Sequence, residues 1–179
     1  VRRRLQHFAS RQCMDIEGLG EAVVDQLVAR DLVREIPDLY ALRVDHLLGL
    51  EKFAQRSSEK LIAALEASKE RELWRIIHGL GIQYVGATVS KDLAHATGDL
   101  EKLMEASEAE LISISGIGDI VARSIAAFFA EERNREVIHR LKAAGVRMRE
   151  ERDEATSGNA AFQGKTFVLT GKLPSLTRD

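Results

Sequence analysis

The chain of 179 residues is poor in several things, and each shortage excludes something. It has one cysteine, Cys13, which cannot close an internal disulfide or build a thiolate cage by itself. It has two prolines, and aromatics make up only 5 % of the chain. With abundant Ala, Leu and Glu, that scarcity favours helices over a sandwich of strands. No apolar run reaches the ~18–20 residues that a membrane span requires, and no signal peptide opens the chain. Neither sign of charge dominates: 26 Lys and Arg face 28 Asp and Glu, for a net charge of −2. A basic excess, the usual footprint of a nucleic-acid binder, is therefore missing. The five histidines show no ligand spacing, and no Ser/His/Asp or paired-carboxylate arrangement is visible. No catalytic residue and no metal site are expected. Cys13 reads as a small packed side chain.

What is present is a globular composition, 45 % apolar and 30 % charged, with length for one or two domains. The chain opens at Val1 without methionine and closes at Asp179 just after a new pattern begins. It is expected to be a piece of a longer chain.

The strongest signal is an internal repeat. Ile16–Gly20, Leu50–Ala54, Ile82–Gly86 and Ile114–Gly118 align, at steps of 34, 32 and 32 residues. Each segment starts on an aliphatic residue. Each has a large apolar residue next to last: Leu19, Phe53, Val85 and Ile117. Seven residues after each segment comes another aliphatic: Leu27, Leu61, Leu93 and Ile125. A helix, a tight turn of small residues and a second helix account for this spacing. Asp38-Leu39 before the second unit matches Asp99-Leu100 before the fourth, so the units form two pairs. Ser107 and Glu110 fit a capping box. A helix is expected over 134–144, with Gly145 as its stop. Trp74 and Phe128-Phe129 are expected in the core, and Glu101, Glu105, Glu108 and Glu110 on a solvated face.

A Gly-apolar-Gly turn that opens a helix makes an anion site. The first backbone amides of the helix have no internal partner, and its dipole favours negative charge. Glycine leaves room for a phosphate to approach. Such contacts read the nucleic-acid backbone rather than its bases, and they do not require a basic domain. Gly18, Gly20, Gly116 and Gly118 complete this pattern in units one and four. Unit three keeps Gly86 but has Tyr84 in place of its first glycine. Unit two has Lys52 and Ala54, and is expected to be a structural copy. Lys91 and Arg123 each lie five residues after their turn glycine, where units one and two carry Asp25 and Glu59. Arg2, Arg3, Arg4 and Arg11 concentrate positive charge before Asp15, either as a solvated chain end or as extra phosphate contacts.

These turns resemble helix-hairpin-helix motifs, and the chain resembles the C-terminal half of the bacterial NAD-dependent DNA ligases. The residues that carry the likeness are His7–Arg11, Met14–Gly20, Leu80–Gly86 and Lys165–Gly171. The last of these is similar to the opening strand of a BRCT domain. The resemblance implies a parent enzyme that seals nicks by adenylating a lysine with NAD, transferring AMP to the 5′-phosphate and closing the bond with Mg²⁺. The adenylation lysine and a four-cysteine zinc module would precede this chain, leaving it without catalytic residues, bound cofactor or activity of its own.

The expected architecture is mainly α. It has the end of a zinc-module region over 1–15 and four tandem hairpins in two pairs over 16–148. A linker over 149–161 and a truncated BRCT-like α/β element over 162–179 follow. The implied function is binding of duplex DNA at nicks, with little sequence preference, by a monomeric cytoplasmic protein. Expected contacts are Gly18, Gly20, Gly86, Lys91, Gly116, Gly118 and Arg123. The alternatives are a hairpin scaffold from another repair protein and a helical protein–protein module whose glycines serve packing alone. The run from Gly158 to Thr166 imitates a P-loop, but it has five residues between its glycines and precedes a strand pattern.

Overall fold

The computed structural model describes residues 1–150, which are helical; the expected BRCT-like strand lies outside the described residues. Helices run in the order α1 (Arg2–Ala9), α2 (Glu21–Ala29), a 3-10 segment (Ile36–Ala41), α3 (Val44–Leu47), α4 (Gln55–Ser68) and α5 (Leu73–Gly79). They continue with α6 (Ala87–Thr97), α7 (Leu100–Glu105), α8 (Glu108–Ile112), α9 (Asp119–Ala130) and α10 (Glu132–Ala143). The capping box forms at α8: Ser107 Oγ accepts from the Glu110 amide, and the Ser107 amide donates to the Glu110 carboxylate at 2.8 Å. Gly145, at φ +87°, follows α10 as its stop.

The repeat in the sequence is a repeat in space. Each unit is a helix, the five-residue turn and a second helix, and in unit one residues 10–15 stand between α1 and the turn. In each turn the amide of the fourth residue donates to the carbonyl of the first: Leu19 to Ile16 at 3.2 Å, Phe53 to Leu50 at 3.3 Å, Val85 to Ile82 and Ile117 to Ile114 at 3.1 Å. The fourth side chain points inward, and Leu19, Val85 and Ile117 are buried. Leu27, Leu61, Leu93 and Ile125 lie in the same core. These two anchors hold the turn and its following helix to one hydrophobic body.

The units pair as the repeat implies, through matched polar contacts. Gln26, six residues after Gly20, accepts the amide of Glu51 in the second turn at 2.7 Å. Ser124, six residues after Gly118, donates to the Gln83 carbonyl in the third turn at 2.8 Å. Thus turns one and two lie side by side, as do turns three and four. Between the pairs, α1 packs on α5. The fit is close: a Cβ on Gly79 would come within 2.9 Å of the Phe8 ring. The helix α10 crosses the 3-10 segment, with Arg140 bridging Glu35 at 3.0 Å and Asp38 at 2.5 Å.

Two stretches sit differently from their sequence-based assignment. Residues 2–9, assigned to the end of a preceding module, form α1 and bury Leu5 and Phe8 in the common core. Residues 149 and 150, assigned to the linker, are tied to the helical body. Arg149 pairs with nearly buried Asp99 at 2.7 Å, and the Glu150 amide donates to the Gly98 carbonyl at 3.0 Å. Val146 and Met148 are buried just before them. An alternation of apolar and charged residues over 146–150 makes one side of this segment cohere with the core.

Candidate nucleic-acid interface

The four turns share one backbone geometry. The third residue is left-handed in all of them: Gly18 at φ +86°, Lys52 at +64°, Tyr84 at +66° and Gly116 at +85°. The fifth residue is the extended N-cap of the next helix: Gly20, Ala54, Gly86 and Gly118. Unit two, expected as a structural copy, and unit three, expected as partial, close the same backbone turn as units one and four. Lys52 and Tyr84 adopt the conformation that glycine adopts more readily. The packing of Phe53 and Val85 imposes it.

The two glycine positions consequently have different causes. Gly18 and Gly116 serve the turn, because a positive φ is strained for residues with a Cβ. Inside the protein Gly20, Gly86 and Gly118 act only as helix N-caps, where glycine is modestly favoured over alanine. Their φ values of −81°, −85° and −93° suit any residue. A Cβ on any of the three would meet nothing within 4 Å. Ala54 fills the equivalent N-cap in unit two. All three glycines are exposed.

The helices that follow these glycines begin without side-chain caps. The amides of Glu21 and Ala22, of Ala87 to Val89 and of Asp119 to Val121 precede the first bonds back to the N-cap carbonyls. Each set lies at the positive end of a helix dipole without an intrahelical partner. Unit two differs: the Ala54 amide donates to Ser57 Oγ at 2.9 Å, and Ser57 returns a bond to the Ala54 carbonyl.

Charge around the turns is unequal. Glu17 and Glu21 flank turn one, and Asp25 of α2 pairs with Arg2 at 3.3 Å. No acid stands in the first turn of α6, whereas Asp119 opens α9 as Glu21 opens α2. Lys91 and Arg123 are both exposed. The Lys91 ammonium lies 4.7 Å from the centre of the Trp74 ring, and the Arg75 guanidinium 4.6 Å from it. Trp74, expected in the core, is only half-buried and holds these two cations by its π face. Arg75 was not singled out from the sequence. It also donates to the Cys13 carbonyl at 2.8 Å, a contact across 62 residues that spacing does not reveal. In unit two, Lys52, Arg56 and Lys60 are exposed and make no ion pair among the described residues. Their four-residue spacing is legible in the sequence.

Away from the turns, the fold gathers His7, Cys13 and His78, whose spacing in the sequence gave no sign of a cluster. None of the described helices is long and apolar enough to cross a membrane.

Comparison with known proteins agrees with this geometry. A family model described as a helix-hairpin-helix motif matches residues 75–138, the stretch from α5 into α10. DNA ligase 1 of Opitutus terrae is 50 % identical over all of this chain. The DNA ligases of Methylococcus capsulatus and Saccharophagus degradans are 47 % and 45 % identical over 98 % of it. The chain spans about a quarter of the length of these relatives, 26 % in each case.

Proposed function

We propose that this chain, related from end to end to part of the bacterial DNA ligases, is the segment that holds duplex DNA for nick sealing. One observation carries the reading. Gly20, Gly86 and Gly118 stand at N-caps where neither backbone conformation nor packing requires glycine. An external group that must come close to the backbone does require it. The group that suits uncapped helix amides is an anion, and the DNA phosphate is the anion that a ligase must hold. Amide donors at fixed positions also explain how a chain with net charge −2 binds a polyanion.

In this reading Gly20, Gly86 and Gly118 admit phosphates, while Gly18 and Gly116 shape their turns. Lys91 and Arg123 add charge beside turns three and four. The second pair makes the closer approach, because it carries Lys91 and Arg123 where units one and two carry Asp25 and Glu59. The parent enzyme uses NAD to adenylate a lysine outside this chain, with Mg²⁺ at the sealing step and zinc in a separate cysteine module. The chain alone is monomeric, cytoplasmic and inactive as a ligase. Its DNA-binding domain takes in 16–148 together with α1, which shares the same core, and the BRCT-like element belongs to 162–179.

The test is fluorescence anisotropy with a labelled nicked duplex, comparing the parent chain with Gly118→Ala. Ala54 shows that the N-cap accepts a methyl group. The substitution is expected to cost roughly 0.5 kcal/mol of stability, about 1–2 °C in thermal midpoint. Binding is expected to weaken about tenfold, the loss of one charge-assisted contact. Unchanged binding in both Gly118→Ala and Gly86→Ala would leave these glycines without their proposed role and favour a protein–protein module.

A further inference from the structure

The helices α1 and α5 meet at a group of side chains that the DNA-binding reading does not use. His7 lies in the last turn of α1, Cys13 in the bend that follows, and His78 in the last turn of α5. Cys13 Sγ is 3.6 Å from His7 Nε2. His7 Nε2 donates to the His78 carbonyl at 2.8 Å. The two imidazole rings stand 5.0 Å apart and nearly perpendicular. One ligating atom from each of the three residues falls within 4.8 Å of the others. Cys13 is fully buried, and His78 Nδ1 is buried with no hydrogen-bond partner. A buried ring nitrogen that neither donates nor accepts is costly in an apo protein. It is an available lone pair for an ion.

We propose that His7, Cys13 and His78 bind a zinc-class divalent cation that clasps α1 of the first hairpin pair to α5 of the second. One thiolate and two imidazoles form the mixed sulfur–nitrogen donor set that zinc takes. Zinc bonds of ~2.3 Å to sulfur and ~2.0–2.1 Å to nitrogen, at the tetrahedral angle, put the two donor atoms about 3.6 Å apart. The Cys13–His7 separation already has that value. The ligating atom that His78 offers lies within 4.8 Å of both. On binding, the thiol proton leaves to solvent and the His7 proton moves to Nδ1, freeing Nε2. Water or the His78 carbonyl oxygen fills the fourth position.

The surroundings favour neutral imidazole and admit a thiolate. Burial and the neighbouring His7 outweigh a backbone hydrogen bond with Val85 and hold His78 below the ordinary histidine range, which favours its neutral form. Burial raises the Cys13 thiol, while the hydrogen bond with Ser10 and the charge of Arg75 pull it down. The Arg75 charge is shared with Glu72, 2.7 Å away. His7 and His78 are only half-buried, which gives an ion a way in.

The experiment uses the full chain, stripped with chelator and kept reduced, then titrated with Zn²⁺ and with Co²⁺. The expected result is one equivalent bound, with a thiolate-to-cobalt charge-transfer band and the visible bands of tetrahedral cobalt. Zinc should also raise the thermal midpoint. Cys13→Ala should abolish the charge-transfer band. His78→Phe, which keeps the thiol and replaces one ring by another, should weaken zinc binding at least tenfold. His95→Ala and His139→Ala, at exposed sites, should leave binding unchanged. Circular dichroism without metal establishes that each variant is folded. Absence of the charge-transfer band in the parent chain overturns the proposal, as does tight zinc binding that survives both Cys13→Ala and His78→Phe. Because DNA binding is read separately by anisotropy, loss of this site leaves the phosphate reading standing.

Discussion

Lys52 holds a left-handed backbone at φ +64° where two of the other three turns use glycine. A side chain in that region is strained by roughly 1–2 kcal/mol. Phe53 behind it packs on the core and keeps the turn closed. Lys52→Gly should therefore stabilise the fold by about 0.5–1 kcal/mol, the relief of strain less the extra freedom of glycine in the unfolded chain. Urea denaturation checks this; a loss of stability would mean that the Lys52 side chain makes a contact worth more than its strain. Arg123 poses a different question at the same scale. It is exposed on α9 beside turn four. In the proposed reading, Arg123→Ala weakens binding to nicked duplex about equally across sequences and lowers the salt slope by about one. Glu59→Ala, at the matching position of unit two, should not weaken it. Equal binding of Arg123→Ala and the parent at several salt concentrations would place Arg123 off the DNA face.

Among the elements, the docking of α10 on the 3-10 segment depends most on charge. Asp38 Oδ2 accepts the amides of Arg34 and Glu35, both at 2.8 Å, and Oδ1 accepts from Arg140 at 2.5 Å. Burial alone would push this carboxyl up. The two amides and the guanidinium together outweigh that effect and hold it below the usual carboxylate range. A carboxyl depressed in the folded state adds stability above its unfolded pKa of about 4 and loses it as pH falls through the lower folded value. Asp38→Asn should therefore cost about 1–3 kcal/mol at pH 7. The gap between parent and variant should shrink on acidification below about pH 4. Denaturant midpoints taken from pH 7 down to pH 3 test this, and a gap that stays constant would show that Asp38 acts by packing rather than by charge.

The molecule as a whole presents two adjacent pairs of turns rather than a single base-reading helix. Binding in the proposed function is then a sum of phosphate contacts. With about four to six phosphates neutralised, log K should fall against log salt with a slope of roughly −4 to −5, from ~0.9 per phosphate. Anisotropy across a salt series on unrelated nicked duplexes measures both the slope and the sequence preference. A slope near zero, or strong preference among the duplexes, contradicts amide-and-phosphate recognition.

The sequence by itself determined the units, their period, their pairing and their inward anchors. Apolar periodicity and turn chemistry are local properties, written within about ten residues of each turn. Leu19, Val85 and Ile117 were legible as anchors because every unit repeats the same need to cover the same core. The tertiary structure decided what each local feature is for. Gly18 and Gly20 look alike in the sequence, yet one bears the left-handed φ and the other an extended N-cap open to solvent. Lys52 and Tyr84 stand where units one and four have glycine, and packing holds both in the same left-handed turn. Helix α1 looked like the end of another module until α5 supplied the surface that buries Phe8. The meeting of His7 and Cys13 with His78 had no local signal, because 65 residues or more separate them in the chain. Only the approach of two helices brings such groups within bonding distance.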